Sequence, residues 1–93
     1  MGTYLGGSAP AMAKQICDGY TLLSPVMLKR LDVGQMKKLE FVIDKKLRET
    51  RGEPMDLSDQ EALQVRNRRI SRIENALRLL RQTIQQQRRP GGG

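Results

Sequence analysis

The sequence predicts an all-α protein: a helical hairpin preceded by a short helix, completed into a four-helix bundle or coiled coil by dimerisation. Three observations predict this. Apolar residues recur at helical spacing over two long segments. Capping residues stand where those segments begin, and Gly52 and Pro54 stand between them. The second segment then runs from Ser58 to Arg89 without a single Gly or Pro.

Residues 1–23 read as a flexible N-terminal arm. Gly2, Gly6, Gly7, Ser8 and Pro10 interrupt it, Asp18-Gly19 marks a turn, and only Ala11 to Cys17 has room for a helical turn or two. The hairpin domain spans 24–89. Ser24-Pro25 opens its short helix, since Ser caps and Pro suits the first helical position. Asp32, three residues before Gln35, forms an Asp variant of the capping box, with Leu31 and Met36 at the staple positions. A helix over about 33–50 follows, and Met36, Leu39, Val42, Ile43 and Leu47 share one side of it. Phe41 points away from that stripe: it is either a single exposed apolar residue, which is common, or a contact with the arm or with another subunit.

Gly52 in a left-handed cap and Pro54 behind it are expected to end this helix. Ser58-Asp59-Gln60-Glu61 is a capping box for a long helix over about 58–89. Residues 90–93 form a disordered Gly tail. In the long helix Leu63, Ile70, Leu77 and Ile84 repeat every seven residues, and Ile73 and Leu80 fill the other seam position. Ala62, Ala76, Thr83, Val65 and Leu79 widen the seam to an arc broader than a two-stranded coil needs. The preceding helix is too short to cover all of it, and each buried Leu or Ile is worth roughly 1.5–3 kcal/mol. A second chain is therefore expected on the remainder, with Phe41, Leu63, Ile70, Ile73, Leu77, Leu80 and Ile84 as the partner interface.

Composition narrows the function classes. Hydrophobic residues make up 38% and aromatics 3%, so any core is aliphatic. A domain of ~60 ordered residues is marginal alone, and one Cys with no His supplies neither a disulfide framework nor a zinc cage. There is no His for acid–base catalysis, no Gly-rich phosphate loop, and no base to activate Cys17. The expected protein is not an enzyme and has no cofactor, metal or small-molecule substrate. No apolar run is long enough for a membrane span, the N-terminus lacks a secretory pattern, and one unpaired Cys fits the cytoplasm or nucleus.

The chain carries 17 basic and 10 acidic residues, a formal charge of +7. Over residues 57–93 the bases are all Arg, eight of them against Asp59, Glu61 and Glu74. Arg68, Arg78, Arg81, Arg88 and Arg89 fall on the solvent side and are the candidate polyanion-binding residues. Arg66, Arg69 and Arg72 fall at or near the apolar arc, with Arg66 on a seam position, where it either fixes register or frays the seam. The function expected is a protein–protein interaction or oligomerisation module, a helical adaptor or scaffold whose partner is a second copy or another helical protein. The alternative is an Arg-rich accessory protein that binds RNA or DNA phosphates, or the ribosome; no aromatic–basic interleaving supports base stacking.

Overall fold

The computed structural model describes residues 4–88, and all regular structure among them is helical. A 3-10 turn at Leu5–Gly7 leads into α1 (Ala9–Cys17), α2 (Pro25–Leu28), α3 (Val33–Gly52) and α4 (Gln60–Arg88). The Gly tail and Arg89 lie outside the described residues.

The hairpin and its starts follow the sequence. Asp32 accepts from the Gln35 amide at 2.8 Å while Gln35 reaches back to the Asp32 amide at 2.9 Å, closing the reciprocal box. Ser24 accepts from the Met27 amide. The start of α4 differs: the helix begins at Gln60, and Asp59, not Ser58, caps it, accepting from the Ala62 amide at 3.0 Å. Ser58 is drawn off by Asp56, which accepts from both its amide and its hydroxyl. Gly52 takes no left-handed cap. It stays helical, and α3 stops because Glu53 is extended at φ −68°, ψ 136° ahead of Pro54, whose ring disfavours α geometry in the residue before it.

Helices α3 and α4 run antiparallel, with Glu40 level with Arg81 and Arg51 level with Glu74. Their exposed ion pairs contribute little individually and serve mainly to mark the register. At 29 residues against 20, α4 is longer than α3 by about 13 Å of rise. Its first turns stand clear of the bundle: residues 57–62 are all exposed, as is Val65. No break interrupts α4 near Ile70.

The N-terminal segment corrects the sequence expectation. Residues 9–17 form a docked helix, not an arm. Ala9, Met12, Ala13, Ile16 and Cys17 repeat at i, i+3, i+4, i+7 and i+8, and all five are buried. Ser8 caps this helix through the Ala11 amide, and Pro10 falls in its first turn. Tyr4 donates its hydroxyl to the Gln35 carbonyl at the start of α3, and α1 packs against both α3 and α4. The returning segment then buries Leu23, Leu28 and Leu31 in the same core.

That packing removes the reason for a second chain on the seam. Ile73, Leu77, Leu80 and Ile84 are each at most 6% exposed within a single subunit. The α3 helix does not cover them alone; α1 and residues 23–31 supply the missing cover. Of the residues expected at a partner interface, only Phe41 is exposed, while Leu63 and Ile70 are half-buried.

The far end of α1 is secured through its backbone. Gly19, at φ +86°, turns the chain; its amide donates to Ile16, and the Tyr20 amide donates to Gln15. The Lys14 carbonyl accepts from Asp18, which leaves Cys17 as the last orphan carbonyl of the helix. Two arginines of α4 take it: Arg69 at 3.1 Å and Arg72 at 3.0 Å.

Two substitutions test this docking by urea denaturation. Ile16→Ala is expected to cost about 2–5 kcal/mol, because it opens a cavity in the core, whereas a residue on a loose arm would change stability by less than about 0.5 kcal/mol. Gly19→Ala is expected to cost at least about 1 kcal/mol through its left-handed backbone alone. Its added Cβ would also lie 2.9 Å from the Arg72 guanidinium and crowd the contact to Cys17.

Candidate functional site

Two surfaces carry features that folding leaves unused. The first is a groove of about 500 Å³ between the turn after α1 and the outer side of α4. Ile16, Leu23 and Ala76 give it apolar walls, Asn67, Ser71 and Asn75 line the α4 side, and no carboxylate lines it. Leu22, also a lining residue, is 85% exposed, and Tyr20 beside it in sequence is 83% exposed. These are the two most exposed large apolar side chains described, and they lie two residues apart. The Schellman-type turn at Gly19 places them there, because Thr21 is held back on Gln15 through both its amide and its hydroxyl.

The arginines around this groove divide by task. Arg69 is half-buried and pairs with Asp18 at 2.7 Å besides binding the Cys17 carbonyl. Arg72 also holds that carbonyl and lines the groove. Arg66 does neither: its guanidinium donates to the Arg51 carbonyl in the last turn of α3, and its Nε is buried without a hydrogen-bond partner. The seam position of Arg66 thus marks where the apolar core ends, and its charge meets the electronegative end of another helix. Arg68 is exposed and makes no ion pair with the described residues.

The second surface surrounds Phe41, which is 65% exposed on the outside of α3. Its ring lies between a hollow of about 560 Å³ that includes Pro10, Ala11 and Lys14 of α1 and another of about 640 Å³ reaching Arg81 and Gln85 of α4. Phe41 therefore borders the N-terminal helix, as its position off the stripe suggested, without being buried by it.

The expected polyanion face is dispersed. Arg81 is committed to Glu40 and Asp44, and Arg78 donates to Asn75. The side chain of Arg88 and all of Arg89 lie outside the described residues. Sequence reasoning looked to the Arg-rich helix and missed Tyr20 and Leu22, along with the lysines on the outside of α3. The readable signal was the spacing itself, since Lys37, Lys38 and Lys45 fall one helical turn either side of Phe41.

Among the described residues no group of three or more His, Cys, Asp or Glu side chains could hold a metal ion, and no helix is long and apolar enough to cross a membrane. Cys17 is a buried free thiol, and burial pushes its pKa up, with Asp18 acting in the same direction against the opposing arginines and Lys46. A thiol held in its neutral form is a poor nucleophile.

The Asp18 carboxyl is held below the usual carboxylate range, first by the hydrogen bond from Arg69, against the opposing effect of burial. A depressed folded-state pKa stabilises the protein fully above the unfolded value of about 3.9, and the contribution is lost as pH falls through the folded value. Asp18→Asn is therefore expected to lower the urea midpoint near neutral pH, and the gap to wild type should close at pH values well below about 4. A pH-independent gap would show that the charge of Asp18 is not what matters. No family model, curated protein or solved structure matches this chain.

Proposed function

We propose that the protein is a non-enzymatic interaction module that receives an acidic, amphipathic helix of another protein in the groove between residues 19–24 and α4. The observation that carries this reading is Leu22, left in water at a groove with apolar walls, with an unpaired Arg68 on the same rim. Burying one Leu side chain is worth roughly 1.5–3 kcal/mol, so a helix laid over this site gains apolar cover that its own chain withholds. Leu or Ile residues spaced i, i+3, i+4 and i+7 on the incoming helix would meet Leu22, Leu23 and Ala76, and carboxylates at its edge would meet Arg68.

Charge selects the partner. No acid lines the groove and the chain as a whole is at +7, so a second copy would bring like charge to it. Completion of a four-helix bundle by dimerisation also loses most of its driving force, since Ile73, Leu77, Leu80 and Ile84 are already covered. The reading is thus of a hetero-association and a monomeric free state.

Two measurements test it. Light scattering is expected to give the 10.5 kDa monomer; a stable dimer would return the function to self-association. Titration with an acidic amphipathic peptide of about 18 residues, long enough to span ~27 Å as a helix, should shift the amide resonances of Leu22, Asn67, Ser71 and Asn75. Leu22→Asp and Arg68→Glu should each weaken binding about tenfold or more, that is by at least ~1.4 kcal/mol, with the fold unchanged. Binding indifferent to both substitutions would rule out this groove.

A further inference from the structure

We infer a second, separate site on the outside of α3, where single-stranded nucleic acid binds by stacking a base on Phe41 while lysines hold the adjoining phosphates. Phe41 is the only Phe in the chain, and the fold leaves it largely in water. Lys37 and Lys38 precede it by one turn, Lys45 follows it by one turn, and Lys14 of α1 lines the adjoining hollow. All four lysines are exposed, and none makes an ion pair with the described residues. Of the neighbouring acids, Glu40 and Asp44 are held by Arg81, and Asp44 also by Arg48; Glu49, one turn beyond Lys45, lines the same hollow and offsets one of the charges. The face is thus an exposed aromatic ring flanked by four lysines that outnumber the one neighbouring acid, Glu49, not held by an arginine.

That combination favours one class of ligand. From Lys37 to Lys45 is about 12 Å along the helix axis, the scale of the shortest single-strand sites, which cover roughly four nucleotides. Every base offers a π-face to an exposed ring, so such a site tolerates sequence. A duplex keeps its bases stacked and would leave the ring unused. An anionic membrane surface would gain little from one Phe, because a membrane-lying helix needs a continuous apolar face and the flanks here are lysine. Lysine is a compact charge on a flexible stem, suited to following a mobile phosphate chain, while the arginines of this protein are largely engaged in its own structure.

The test is fluorescence anisotropy with a labelled oligothymidylate of about 12 nucleotides, near 20 mM and near 150 mM salt, where phosphate contacts differ strongly in strength. Four lysine contacts should give a log–log salt slope of about −3, at ~0.7 per neutralised phosphate. Phe41→Ala should weaken binding roughly five- to a hundredfold with the slope unchanged, as removal of one stacked base does. Phe41→Tyr should restore binding, whereas Phe41→Leu, which is apolar but has no ring, should not. Lys37→Ala with Lys38→Ala should reduce the slope by about 1.4, and Leu22→Asp should change nothing. Circular dichroism confirms that each variant is folded. The inference is overturned by absence of binding at low salt, by Phe41→Ala binding as wild type, by tighter binding to a duplex of equal length, or by equal Phe41 dependence on phosphatidylserine vesicles.

Discussion

Three arginines of α4 meet the carbonyl ends of two other helices, and the arrangement of the whole molecule depends on that contact. Arg69 and Arg72 hold the last carbonyl of α1, and Arg66 holds a carbonyl in the last turn of α3. Helix C-termini present unsatisfied acceptors and the negative end of the dipole, so a cation there both completes hydrogen bonding and lowers electrostatic energy. Because all three come from about two turns of α4, they set how far α1 and α3 may slide along it. The aliphatic core supplies most of the attraction but little direction, since Leu, Ile, Met and Ala pack against one another in many registers.

The same contact divides the charge of the protein by residue type. Arginine, with its planar fork of donors, is spent largely on the structure: on carbonyls, on Asp18, and on the Glu40 and Asp44 carboxylates that α3 turns toward α4. Lysine is left on the outside of α3. A net charge of +7 therefore overstates the positive charge of the Arg-rich helix and understates that of its neighbour. The proposed docking groove and the face around Phe41 follow from that division, one apolar with a single free Arg68, the other lysine-rich around a ring.

Much of the fold was legible in the sequence. Asp32 and Gln35 announced their capping box, Ser24-Pro25 announced α2, and the Gly- and Pro-free run announced α4 as one rod. The N-terminal segment misled because its glycines and Pro10 drew attention from the apolar spacing of Ala9, Met12, Ala13, Ile16 and Cys17. Three of those five are small, so the stripe lacks the run of large aliphatic side chains that marks α3 and α4. Without α1 as cover, Leu77, Leu80 and Ile84 point to a second chain; with it, they are buried within one subunit. The groove was not legible at all. It exists because a left-handed Gly19 and the bonds from Thr21 to Gln15 lay Leu22 outward, and such long-range placement is not encoded in local periodicity. The cluster around Phe41 was legible from spacing, but the concentration of arginine farther along the chain hid it.

The scarcity of aromatic residues has a practical corollary. The chain has no Trp and two Tyr, of which Tyr4 is half-buried against α3 and Tyr20 stands in water beside the groove. Its tyrosine absorption and emission thus come from two phenols in different surroundings, over an aliphatic interior. Whatever settles over residue 20 dries that ring and alters its emission, so the unlabelled molecule carries its own reporter at the place where a ligand would arrive.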